Sequence, residues 1–220
     1  MTVFEDELTR LNGMVLAMGE LVKEQINDSV RALVERETKL ATKVVETEPQ
    51  VDALDVELDE ECIRLIARYQ PVAADLRLIT TAMKITTDLE RMGDQAANIA
   101  KKAIDLNKEE ILKPYIDIPQ MSNVAQGMTR DALEAFVRRD KTLAVAVMAM
   151  DSKVDHLRDQ VLNELSFYIA KDPSMAPRVL KIGFITQSLE RIADHATNIA
   201  EMVIYLVEGR IVRHQAVPEE

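Results

Sequence analysis

The chain has 220 residues and a formal charge of −11, from 38 Asp and Glu against 27 Lys and Arg. That excess of negative charge argues against nucleic acid as a partner, since its binding rests on phosphate neutralisation, and favours cations or basic protein surfaces. With 47% hydrophobic residues but only 6 Gly, 4 Phe, 4 Tyr and no Trp, the composition excludes a β-sandwich or barrel and predicts an all-α protein.

Apolar residues recurring at i, i+3, i+4 and i+7 predict six helices. The first covers about residues 5–35, the second 38–69 and the third 72–106, with Pro71 suited to a helix start. Pro49 falls inside the second and should kink it near Val45–Glu48. The Lys113–Pro119 stretch reads as a linker. Three more helices are expected near 120–138, 141–171 and 175–208, with Asp172-Pro173 at the last turn and Gly209 as a C-terminal cap. Short connections make successive helices antiparallel neighbours.

The two halves repeat each other. At an offset of 103, Asp28, Ala32, Val34 and Arg36 meet Asp131, Ala135, Val137 and Arg139, and Val51, Asp52, Leu54 and Ile66 meet Val154, Asp155, Leu157 and Ile169. Beyond Pro71 the offset becomes 100, and Leu89-Glu90-Arg91, Asp94 and Asn98-Ile99-Ala100 match Leu189-Glu190-Arg191, Asp194 and Asn198-Ile199-Ala200. The expected architecture is two tandem three-helix bundles related by internal duplication. The first unit takes 1–110, a linker 111–119, the second unit 120–210, and a tail 211–220.

At about 100° per residue, Thr87, Glu90, Arg91, Asp94, Asn98 and Lys101 share one face of the third helix, with Leu89, Met92, Ala96 and Ile99 opposite. The sixth helix copies this pattern, so each acidic face should point away from its core. Acids spaced by four are common by chance in so acidic a chain, but the registers are specific. In a hairpin turning at residue 71, residues whose numbers sum to 142 lie level, which sets Asp52 beside Glu90 and Glu48 beside Asp94. Turning at Asp172–Pro173, Asp155 meets Glu190 and Asp151 meets Asp194.

Each hairpin thus carries four level carboxylates, whose repulsion, about 1 kcal/mol per pair at 4 Å in water, calls for neutralisation. Protons, Arg91 and Arg191, or metal ions would all serve. Hard oxygen donors suit Mg²⁺, Mn²⁺ or iron better than a structural zinc site. A plain solvated acidic face is the alternative. His156, His195 and His214 lack a Glu three residues before them, which removes the Glu-x-x-His of di-iron bundles. His195 is expected at the surface, and Cys62, the single cysteine, in the core. No Walker loop, dinucleotide glycine pattern or nucleophile elbow is present, and the chain is not expected to be an enzyme. The acidic opening Met1–Glu7 lacks signal-peptide features, and the longest apolar run, Leu143–Met150, falls short of a ~20-residue membrane span. A cytoplasmic, non-membrane protein is expected.

Leu89-Glu90-Arg91-Met92-Gly93-Asp94-Gln95-Ala96-Ala97-Asn98-Ile99-Ala100 and its copy from Leu189 to Ala200 resemble the duplicated signature of the PhoU family of phosphate-uptake regulators. The resemblance covers nearly the whole chain. It implies multinuclear iron or zinc clusters bound by Glu48, Asp52, Glu90 and Asp94 in one unit and by Asp151, Asp155, Glu190 and Asp194 in the other. Arg91, Asn98, Arg191 and Asn198 would support those ligands from behind. Pro49 beside Glu48 departs from a regular helix at the first site. The resemblance further implies a homodimeric adaptor between the phosphate-specific ABC transporter and a two-component sensor histidine kinase. Such an adaptor represses the phosphate-starvation response and limits uptake. The rival readings are a carboxylate-bridged di-metal bundle enzyme and a metal-free docking scaffold.

Overall fold

The computed structural model describes residues 2–210; the expected tail, 211–220, lies outside the described residues. Six long helices follow in order: α1 (Val3–Val34), α2 (Thr38–Tyr69), α3 (Ala73–Leu106), α4 (Asp117–Arg138), α5 (Lys141–Lys171) and α6 (Ala176–Glu208), with a short 3₁₀ turn, Pro173–Met175, before α6. Among the described residues there is no strand. Local chemistry explains the ends. Thr2 caps α1 reciprocally, its hydroxyl accepting from Glu5 N–H while the Glu5 carboxylate accepts from Thr2 N–H at 2.7 Å. Gly209 ends α6 at φ 68°, the left-handed conformation that costs glycine nothing. Gln70 takes the same role after α2 at φ 47°, where a side chain is strained.

One expectation needs correction. α4 begins at Asp117 rather than 120, and Pro119 sits in its first turn, where a missing N–H is harmless. The linker between units therefore ends earlier, and it is pinned. Lys113 is 4% exposed and pairs with Glu164 and Asp117, while the Arg36 guanidinium donates to the carbonyls of Asn107 and Glu109. As expected, α2 runs from Thr38 to Tyr69 with Pro49 inside it. Pro49 is exposed, so the Val45 carbonyl that loses its donor lies on the water side.

The two three-helix units are not separate bodies. α3 packs on α6 and α1 on α4, joining both units into one apolar core. The inward faces hold as the periodicity requires. Leu89, Met92, Ala96 and Ile99 of α3 and Leu189, Ile192, Ala196 and Ile199 of α6 are fully buried. Cys62 is also buried, and burial first, then the charges of Asp59 and Glu61, push its thiol up to about 12. At the α1–α4 crossing the Leu133 side chain fills the space that a Cβ on Gly19 would take, its Cδ1 2.3 Å away.

Candidate functional site: two carboxylate clusters

The hairpins α2–α3 and α5–α6 position the acids. Both are long antiparallel pairs with short turns, so register alone sets which side chains meet. In the first unit Glu48 feels the charges of Asp52 and Asp94, and Glu90 those of Asp94 and Asp52. Burial first, then Asp52, then the Asp94 contact raise the Glu48 carboxyl above its ordinary range. For Glu90 the causes are burial, then Asp94, Asp52 and Asp55, opposed by Arg91. In the second unit burial raises Asp151, helped by Asp155 and Glu190. Asp194 is pushed up to about 6 by burial, then by Glu190 and Asp151, with His195 opposing. The eight acids thus gather as two groups of four, each half-buried or exposed at the bundle surface.

The supporting residues are distributed differently from the sequence expectation. Arg91 tempers Glu90 by charge alone. Arg191 is exposed and closes no ion pair among the described residues; Arg158 does that work in the second unit, 2.8 Å from Glu190 and 2.7 Å from Asp155. Asn98 is exposed. Asn198 turns away from the cluster, its Nδ2 3.4 Å from Asp88 Oδ1. Asp88 also receives His195 Nδ1 at 2.8 Å. His195 is therefore not a free surface residue: its side chain is 15% exposed and ties α6 to a buried aspartate of α3.

Asp55 was missed altogether. It adds a fifth carboxylate to the first unit and is raised by burial, with a hydrogen bond to Thr86 opposing and Asp59 and Asp52 assisting. Its signal in the sequence was the spacing Asp52-x-x-Asp55, hidden because Asp55 lies level with Thr87, which is not acidic.

Such groups suit metal ions in kind. Hard carboxylate oxygens are the donor type that such cations take. Among the described residues, however, no three of them close on a common point as a preformed cage would, and side-chain rotation would have to bring them in. No helix among the described residues is long and apolar enough to cross a membrane.

A duplicated all-helical protein with paired surface carboxylates is the class this arrangement defines. Solved structures agree. A crystal structure titled PhoU from Pseudomonas aeruginosa superposes with a TM-score of 0.89 at 44% identity, covering 94% of this chain and 100% of that one. The phosphate transport system regulatory protein PhoU from Streptococcus pneumoniae does so with a TM-score of 0.88 at 29% identity, covering 95% and 99%. Residues 15–103 and 118–203 each match the PhoU domain family. The Escherichia coli phosphate-specific transport system accessory protein PhoU is 34% identical over 211 residues, 96% of this chain and 88% of that protein. The Pseudomonas putida homologue is 45% identical over 212 residues, 96% and 83%. The chain belongs to the PhoU family.

Proposed function

We propose that this protein is a cytoplasmic, non-enzymatic regulator of phosphate homeostasis. It acts as a metal-binding adaptor between a phosphate ABC transporter and a two-component sensor kinase, represses the phosphate-starvation response and limits phosphate uptake. The carrying observation is 34% and 45% identity, over nearly the full chain, to accessory proteins of the phosphate-specific transport system, combined with two carboxylate clusters at the matched hairpins. Glu48, Asp52, Glu90 and Asp94 would hold cations in one unit, and Asp151, Asp155, Glu190 and Asp194 in the other. Bound iron, zinc, Mg²⁺ or Mn²⁺ would supply the positive charge that lets the four acids stand ionised side by side. The chain's own part is positional: long rigid helices hold the acids on an outer surface that a partner can reach. A homodimer would present four such clusters.

Three measurements test this reading. Deleting the gene in its host should raise expression of phosphate-starvation genes under abundant phosphate, and the purified protein should associate with the transporter ATPase or the sensor kinase. Protein purified without chelator should carry metal. Unchanged expression together with no binding to either partner refutes the regulatory assignment. A metal-free protein that still binds favours the docking-scaffold reading, which the open arrangement of the carboxylates also allows.

A further inference from the structure

Because the clusters are copies of one unit, a difference at matched positions has chemical meaning. Where the first unit has Asp55, the second has Arg158. That guanidinium lies 2.7 Å from Asp155 Oδ1 and 2.8 Å from Glu190 Oε1, and 3.0 Å from Asp159. The remaining Glu190 oxygen accepts from Gln187 Nε2 at 2.6 Å. In the first unit the residue matching Gln187 is Thr87, whose hydroxyl donates instead to the Met83 carbonyl at 3.1 Å. Both Glu190 oxygens are thus engaged, whereas Glu90 has only charges around it.

We infer that the two clusters are unequal cation sites: the first takes a multivalent cation ahead of the second, where Arg158 is a built-in counter-ion holding Asp155 and Glu190. The inference rests on the metal-binding part of the function proposed above. A cation entering the second cluster must break a charge-assisted hydrogen bond to Glu190 and an ion pair to Asp155 and then sit near a guanidinium of like charge. Until Arg158 swings away, only Asp151 and Asp194 are free to ligate. The first cluster offers all four acids, with Asp55 in addition. Lys101 and Arg91 moderate it from a distance, acting on Glu48 and Glu90 by charge without bonding to them.

Mn²⁺ titration of the full-length chain tests this, reading free Mn²⁺ by electron paramagnetic resonance. The double substitution Glu190→Gln/Asp194→Asn isolates the first cluster, and Glu90→Gln/Asp94→Asn isolates the second. The first cluster should bind with a Kd at least about tenfold lower, equivalent to 1.4 kcal/mol. In the background that isolates the second cluster, Arg158→Gln should lower the Kd about tenfold, while Arg158→Lys, which keeps the charge, should not. Circular dichroism checks that each variant retains its helices. If Arg158→Gln loses them, Asp55→Arg in the other background replaces it, and should weaken the first cluster about tenfold. Equal Kd values in the two backgrounds, or no response to these exchanges, overturn the inequality while metal binding stands. No Mn²⁺ bound in either background overturns both.

Discussion

Replacing His195 by alanine should destabilise the protein through a group on the other unit. Asp88 is 8% exposed, and its Oδ1 is held by His195 Nδ1 at 2.8 Å and by Asn198 Nδ2 at a weaker 3.4 Å. Removing one partner of a buried ion pair costs about 3–5 kcal/mol when the remaining charge is left bare. Asn198 still donates here, and both side chains retain some contact with water, at 12% and 15% exposure, so about 2 kcal/mol is expected. The duplication supplies the control. Asp88 and His195 match Ser188 and Gln95, a neutral combination the fold already accommodates at the sister positions. Asp88→Ser with His195→Gln should therefore lose less than the sum of the two single changes. Urea unfolding followed by circular dichroism reads the loss, in chelator so that Asp194 next door contributes no metal effect. A loss below about 0.5 kcal/mol for His195→Ala, or strict additivity in the double variant, refutes the claim that this pair is a buried tie between the units.

Four further outcomes are expected. Glu90→Gln/Asp94→Asn should remove metal from the first unit without loss of helicity, since both side chains face away from the core; elemental analysis and circular dichroism decide. Asp194, with its carboxyl pushed up to about 6, should make metal uptake by the second unit fall as pH drops through that value. In the metal-free protein the same group binds its proton more tightly folded than unfolded, so its contribution to stability should decline as pH rises from about 4 to 6, readable from urea midpoints in chelator. Gln70→Gly should raise stability by about 1 kcal/mol by relieving the left-handed strain at φ 47°; an unchanged midpoint would show the strain to be absorbed elsewhere.

Backbone-level features were legible in the sequence because periodicity and helix-end residues set them. The registers that place Glu48 with Asp94 and Asp52 with Glu90 follow from hairpin geometry alone, and the structure brings those side chains together. What stayed hidden depends on side-chain reach. Arg158 stretches from α5 to Glu190 on α6, whereas Arg191, in phase on α6 itself, stays exposed. The α3–α6 packing was equally unreadable: the same inward faces would serve two independent bundles or one joined core.

That joined core changes what the duplication means physically. Asp88 contacts His195, Lys84 stacks over Tyr205 and Lys102 over Phe184, so α3 and α6 run antiparallel, each residue meeting one displaced toward the opposite end of its partner. The sister of each contact lies across a pseudo-twofold axis near Met92 and Ile192. Identical halves would repeat every polar contact on both sides of that axis, and two buried acid–base pairs would double the desolvation cost. The chain carries one such pair and leaves Gln95 and Ser188 neutral opposite it. The same divergence separates the outer clusters, with Asp55 in one and Arg158 in the other. Since α3 and α6 pack on one another, the two diverged clusters are carried by neighbouring helices of one shared core.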